Sequence, residues 1–148
     1  MKMRALPSIG MVLLLALPAW AAASDEPLAQ LKARAASASG GDRAVLYAEV
    51  ARQEVELANQ HFTDGNVEQG HAAVREVVAS ARKAATAARN SKKKLKETEM
   101  SLRRTARRLS DIGGTLAVDD RPAVEQAVKE LYSIEDQLLE VLFGGGKT

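Results

Sequence analysis

Apolar residues recur every seven positions through the middle of the chain, and this spacing predicts a long helix. No Gly or Pro interrupts the stretch from His71 to Ile112. The register crosses Asn90-Ser91, a plausible helix break, without a shift. We therefore predict one continuous, coiled-coil-like central helix over about residues 66–112. The residues of the row are Val67, Val74, Ala81, Ala88, Leu95, Leu102 and Leu109.

The helices predicted on either side of this stretch have unusually wide apolar surfaces. At 100° per residue, the apolar positions from Asp42 to about Phe62, and those of the last helix to about Phe143, each span an arc of about 200°. One partner helix uses a stripe of about 100°, so each outer helix needs two neighbours. A central stretch that folds back near Asn90 supplies them in a four-helix bundle. A straight one requires a second copy of the chain, a possible homodimer, and both alternatives give an all-α fold of antiparallel helical hairpins.

The N-terminal residues have the pattern of a secretory signal peptide. Lys2 and Arg4 precede an apolar run, Ile9 to Leu17, that is too short to span a bilayer. Small residues then allow cleavage after Ala21 or Ala23. We therefore predict a signal peptide over residues 1–23 and a periplasmic or secreted bacterial protein without a transmembrane segment after cleavage.

The rest of the chain divides into three parts. Residues 24–41 are rich in Ala, Ser and Gly and predict a flexible lead. Residues 42–143 form the predicted helical domain, and the Gly-rich residues 144–148 a disordered tail.

Composition excludes several kinds of chemistry. The chain has no cysteine, which rules out disulfides, thiolate catalysis, iron–sulfur clusters and cysteine zinc sites. It has two histidines, and no Ser/His/Asp set or carboxylate pair stands out from ordinary surface residues. We therefore predict a protein that is not an enzyme and has no cofactor.

Charge is strongly segregated along the chain. The segment from Arg82 to Arg108 has eleven Lys or Arg and two acidic residues, a net charge of +9. Without residues 1–23 the chain has 19 basic and 19 acidic side chains, so the remainder carries −9. On a helical wheel part of the basic segment forms one stripe, a candidate surface for an anionic envelope component or an acidic protein partner. The stripe consists of Lys92, Lys93, Lys96, Arg103, Arg104 and Arg107.

Two other interpretations of the stripe remain open: a solvated helix face, or pairing with acidic residues of the last helix. Nucleic acid is not an expected partner, because no aromatic residues for base stacking are interleaved with the cations. The acidic residues of the last helix are Glu125, Glu130, Glu135, Asp136 and Glu140.

Thr63-Asp64-Gly65-Asn66 predicts a compact turn after the helix that ends near Phe62, and a weaker alternative site lies around this turn. Glu68 and His71 have the i, i+3 spacing found in metal-binding helical bundles, and His61 and Asp64 are close in sequence. These four residues could gather one ion at the end of the hairpin. The corresponding alternative function is a small-ligand or metal-binding bundle.

The segment Leu57 to Val78, LANQHFTDGNVEQGHAAVREVV, resembles one helical hairpin of the tetratricopeptide type. The similar features are small and large apolar residues on the first helix, an aromatic residue beside the turn, Gly65 in the turn and the small Gly70 where the helices cross. The resemblance implies a tight antiparallel hairpin. One repeat cannot form a peptide groove, because such repeats bury a core by stacking.

The broad apolar helix faces and the basic stripe lead to the principal functional prediction. It is a non-catalytic, exported protein that self-associates and presents its basic stripe to a partner.

Overall fold

The computed structural model describes residues 26–144, and its five helices confirm the all-α fold class. The predicted signal peptide and residues 145–148 of the predicted tail lie outside the described residues. The helices are α1 (Leu28–Ser37), α2 (Gly40–Thr63), α3 (Val67–Ser91), α4 (Leu95–Thr115) and α5 (Arg121–Gly144).

The continuous central helix that we predicted over residues 66–112 is wrong, because the chain reverses between Ser91 and Leu95. Lys92 and Lys94 have left-handed φ angles of 58° and 59°, which a right-handed helix does not contain. The Ser91 hydroxyl donates a 2.8 Å hydrogen bond to the Ala87 carbonyl and accepts one of 3.2 Å from the Lys93 amide. The structure therefore has the other predicted arrangement, a four-helix bundle with a break near Asn90.

The seven-residue row continues through this reversal because both helices face one core. Ala81 and Ala88 on α3 are fully buried, as are Leu102 and Leu109 on α4. Seven-residue spacing keeps each pair on one side of its own helix. The spacing is therefore the same whether the two helices form one rod or fold back on each other.

The bundle has α2, α3, α5 and α4 in order around its axis. Helix α2 packs on α3 and α4, α5 packs on the same two helices, and α3 and α4 touch little across the diagonal. The α2–α3 and α4–α5 pairs are antiparallel hairpins. The wide apolar surfaces of α2 and α5 are thus covered within one chain, and the core does not require a second copy.

Close helix packing depends on small residues in the α2–α3 hairpin. A Cβ atom at Gly70 would lie 2.6 Å from the Phe62 ring, so a larger residue would collide there. Gly65 in the turn has a φ of +80°, a conformation that glycine adopts without strain.

Within residues 26–144 no helix has an apolar stretch long enough to cross a bilayer.

The flexible lead predicted for residues 24–41 instead contains helix α1, which lies on α2. Leu31 and Ala35 of α1 are buried. The Lys32 ammonium lies 2.6 Å from a carboxylate oxygen of Glu54, which is 2% exposed. Leu28 also packs against the core, and Lys32 lies 3.9 Å from a second carboxylate, that of Glu76. These apolar contacts and ion pairs dock a short segment whose composition alone indicates flexibility.

Candidate anion-binding surface

The turn between α3 and α4, which we call the lysine turn, consists of Lys92, Lys93 and Lys94, all exposed. Lys94 lies 3.1 Å from Glu97, whereas Lys92 and Lys93 have no ion pair with any residue in the described range. A Cβ atom on Gly41 would lie 2.8 Å from Cγ of Lys94. Glycine at the start of α2 therefore lets the lysine turn approach closely, and the two features share one end of the bundle.

The C-terminus of α5 lies at the same end. Arg82 of α3 donates a 2.5 Å hydrogen bond to Glu130 of α5, and Arg89 donates one of 2.8 Å to Gln137. The constant offset of 48 residues shows that α3 and α5 run parallel. Helix α3 ends two residues after Arg89 and α5 ends seven after Gln137, so α5 projects about 7 Å further. Phe143, which is 80% exposed, lies on this projection.

Arg103, a member of the predicted stripe, is half-buried and bound within the molecule. Its Nε donates a 2.6 Å hydrogen bond to Glu135, and its guanidinium also bonds Glu99. Burial raises the pKa of Glu99, and a hydrogen bond with Glu135 raises it further, while the charge of Arg103 acts in the opposite direction. The bond to Glu135 raises the pKa of Arg103. For this residue, pairing with the last helix is the interpretation that the structure supports.

Other cations of the +9 segment are either bound within the bundle, like Arg103, or exposed on its surface. Arg108 donates hydrogen bonds of 2.8 and 3.0 Å to Glu56 of α2, which lowers the pKa of Glu56. Lys96, Arg104 and Arg107 are exposed on α4 and form no ion pair with the described part of the chain. The predicted single stripe is therefore two surfaces: the lysine turn and the outward face of α4.

The metal site that we predicted as an alternative is not formed. Nε2 of His71 lies 3.3 Å from Asp120, and its ring meets the ring of Phe62 edge-on at 5.1 Å. Nowhere in residues 26–144 do three His, Asp or Glu side chains converge closely enough to hold a metal ion. The four predicted ligands, His61, Asp64, Glu68 and His71, therefore do not support a metal-binding function.

Sequence reasoning missed two features of this surface. The predicted stripe lacks Lys94 because a continuous helix places this residue on a different face from Lys92 and Lys96, although its position next to two lysines is a signal. Phe143 belongs to the apolar pattern of α5, and nothing local distinguishes it from buried members of that pattern. Its exposure follows from the greater reach of α5, which depends on helix register.

Comparison of the chain with protein-family models, with curated proteins and with solved structures gave no match in any of the three. The class of protein is therefore defined by its fold: an all-α four-helix bundle with a short additional helix at its N-terminal side.

Proposed function

We propose that the chain is a non-catalytic, exported helical protein that binds an anionic lipid surface of the envelope through one end of its bundle. The observation that carries this proposal is that Lys92 and Lys93, which form no ion pair within residues 26–144, lie at the same end as the exposed Phe143. Basic residues together with an exposed aromatic residue suit the interface of an anionic bilayer. The contact would be peripheral, with the helices remaining outside the hydrocarbon region.

The strength of the expected attraction follows from the charge of the lysine turn. A Lys near an anionic bilayer contributes about 1 kcal/mol, and the effect decays over a Debye length of about 8 Å at physiological ionic strength. Glu97, the nearest acid in sequence, is already engaged by Lys94. Lys92 and Lys93 are thus available to lipid phosphates.

The backbone of the turn gives a second argument. Left-handed conformation costs a residue with a side chain about 1–2 kcal/mol, which Gly avoids. Lys92 and Lys94 both have this conformation. A turn selected for stability alone would have Gly or Asn at these positions, so the lysine charge there supports a functional role.

The test is sedimentation with vesicles of phosphatidylcholine alone or with 30% phosphatidylglycerol, using protein made from the full-length sequence and isolated in its processed form. We expect binding to the anionic vesicles that weakens as salt is raised. Lys92→Gln with Lys93→Gln should reduce the partition coefficient by about 30-fold, the equivalent of about 2 kcal/mol. Phe143→Ser should weaken binding without changing its salt dependence.

The matched control changes two exposed cations away from the lysine turn, Arg52→Gln and Arg75→Gln, which should leave binding nearly unchanged. Equal effects of the two double variants would mean that overall charge, and not the lysine turn, determines binding. No salt-sensitive difference between the vesicle types would reject lipid as the anionic surface and favour the acidic protein partner.

A further inference from the structure

Helix α4 has an outward face that the core does not use. At 100° per residue, Lys96, Met100, Arg104, Arg107 and Asp111 fall within an arc of about 80°. All five are exposed, and Met100 is one of four large hydrophobic residues exposed within the described range. The face therefore has a basic row with an acid at its far end and an apolar residue among the cations.

Helix α5 has a matching face of opposite charge. Lys129, Tyr132, Asp136 and Glu140 also fall within an arc of about 80°, and all four are exposed. Tyr132 has the same exposure as Met100, 39%. This face has an acidic row with a cation at its far end.

The charges of both faces form no ion pair within residues 26–144, although Asp111 lies close enough to Arg108 to help raise the pKa of that guanidinium. Lys96, Arg104 and Asp111 on α4 form no ion pair with other described residues, and the same is true of Asp136 and Glu140 on α5. Lys129, the cation of the α5 face, also forms no ion pair within residues 26–144.

The register between the two helices is set by Arg103 and Glu135, which face each other across an antiparallel pair. A residue seven positions before Arg103 on α4 therefore lies at the same height along the bundle, or level, as a residue seven positions after Glu135 on α5. Counted in this way, Lys96 lies within two positions of the level of Glu140, and Arg104 lies within two of Asp136. Asp111 and Arg107 both lie within two positions of the level of Lys129, so three of these four pairs have opposite charges and the Arg107–Lys129 pair has like charges.

We propose that the α4–α5 face binds a second copy of the chain about a two-fold axis parallel to the helices. This axis places α4 of one copy over α5 of the other at the same level, so Lys96 meets the second copy's Glu140 and Asp111 meets its Lys129. Met100 and Tyr132 supply apolar contact between the charged levels. The contact is made twice, as the symmetry of such a dimer requires.

The charge pattern favours a second copy over other occupants of this face. The acidic row of α5 repels an anionic surface, and the basic row of α4 repels a cationic one. The inference does not depend on the proposed function, yet it agrees with it. An axis parallel to the helices brings both lysine turns to the same end of the dimer, where they can meet one surface together.

The test uses two charge-reversed variants and sedimentation equilibrium of protein processed from the full-length sequence. One variant has Lys96→Glu with Arg104→Glu, and the other has Asp136→Lys with Glu140→Lys. We expect the wild type to be a dimer at about 50 μM and each variant alone to be a monomer. An equimolar mixture should recover the dimer. At one contact the acidic α4 of the first variant faces the basic α5 of the second, and at the other contact the unchanged acidic α5 of the first faces the unchanged basic α4 of the second.

Circular dichroism melting provides the folding control, and both variants should remain folded because all four side chains are exposed. Reversal of Lys92 and Lys93, which lie outside the face, should leave the dimer intact. A monomeric wild type at 500 μM, a wild-type dimer that either variant retains, or a mixture of folded variants that stays monomeric would each overturn the proposal.

Discussion

Nε of Arg103 on α4 donates a 2.6 Å hydrogen bond to Oε1 of Glu135 on α5, and the same guanidinium bonds the buried carboxyl of Glu99. Both carboxyl groups are less than 10% exposed. One cation thus serves two buried acids, and full ionisation of both leaves an uncompensated negative charge between α4 and α5. Burial is the main cause of the raised pKa of Glu99, and the neighbouring Glu135 carboxyl raises it further.

The first prediction concerns the pH dependence of stability. The pKa of Glu99 lies above its ordinary value of 4.5 in the folded chain, so between the two values the folded state binds more protons than the unfolded state. The contribution of Glu99 to stability is therefore complete below 4.5 and is lost as pH rises through the folded pKa. Glu99→Gln removes this dependence, and urea unfolding from pH 4 to 7 should show a smaller loss of stability with rising pH than in the wild type.

Glu56→Gln is the control of opposite sign. The bond from Arg108 lowers the pKa of Glu56, so its contribution is present above 4.5 and is lost as pH falls through the folded pKa. This variant should be less stable than the wild type above about pH 4.5, and the difference should disappear as pH falls through the folded pKa of Glu56. Superimposable profiles for Glu99→Gln and the wild type would show that Glu99 is ionised as readily in the fold as in water.

The second prediction concerns the α2–α3 crossing. Gly70→Ala places a Cβ atom 2.6 Å from the Phe62 ring and should lower the free energy of unfolding by about 1–3 kcal/mol. Gly114→Ala on α4, where nothing lies within 4 Å, should raise it by about 0.5–1 kcal/mol through helix propensity. Denaturant unfolding measures both. A Gly70→Ala protein as stable as the wild type would mean that Phe62 moves aside freely.

The third prediction separates conformation from charge in the lysine turn. Lys92→Gly or Lys94→Gly removes left-handed strain and should stabilise the fold by about 1 kcal/mol each. Lys92→Ala keeps the strain and should give no such gain. If the proposed function is correct, all three variants should bind anionic vesicles more weakly, and thermal melting with vesicle sedimentation provides the two measurements. A Gly variant no more stable than its Ala counterpart would contradict the left-handed conformation.

The fourth prediction concerns the docking of α1. Lys32→Met leaves the buried Glu54 carboxylate without its cation and should cost about 1–3 kcal/mol. Adding Glu54→Leu should recover much of this loss, because an apolar pair of similar volume can replace a buried ion pair. Urea unfolding measures the recovery. Limited proteolysis between Ser37 and Gly40 should be faster in Lys32→Met than in the wild type and slower again in the double variant. A double variant less stable than Lys32→Met alone would show that Glu54 has a further role.

Local sequence signals were reliable where one residue determines the backbone. Gly65 and its polar neighbours correctly predicted the turn between α2 and α3, since few residues adopt a positive φ without strain. The wide apolar arcs of the outer helices correctly predicted that each needs two neighbours. The reversal at Lys92–Lys94 was not accessible in this way, because lysine is a good helix former and carries no turn signal.

The sequence by itself determined an all-α chain with a common apolar face and a strongly segregated charge, because helical periodicity and composition are properties of the order of residues. Only the tertiary structure decided that the chain folds back after Ser91, since burial of Leu102 and Leu109 against α2 and α5 outweighs the strain at two lysines. It also decided which cations are engaged. Arg103 binds inside the bundle while Lys92 and Arg104 remain unpaired among the described residues, and this depends on helix register.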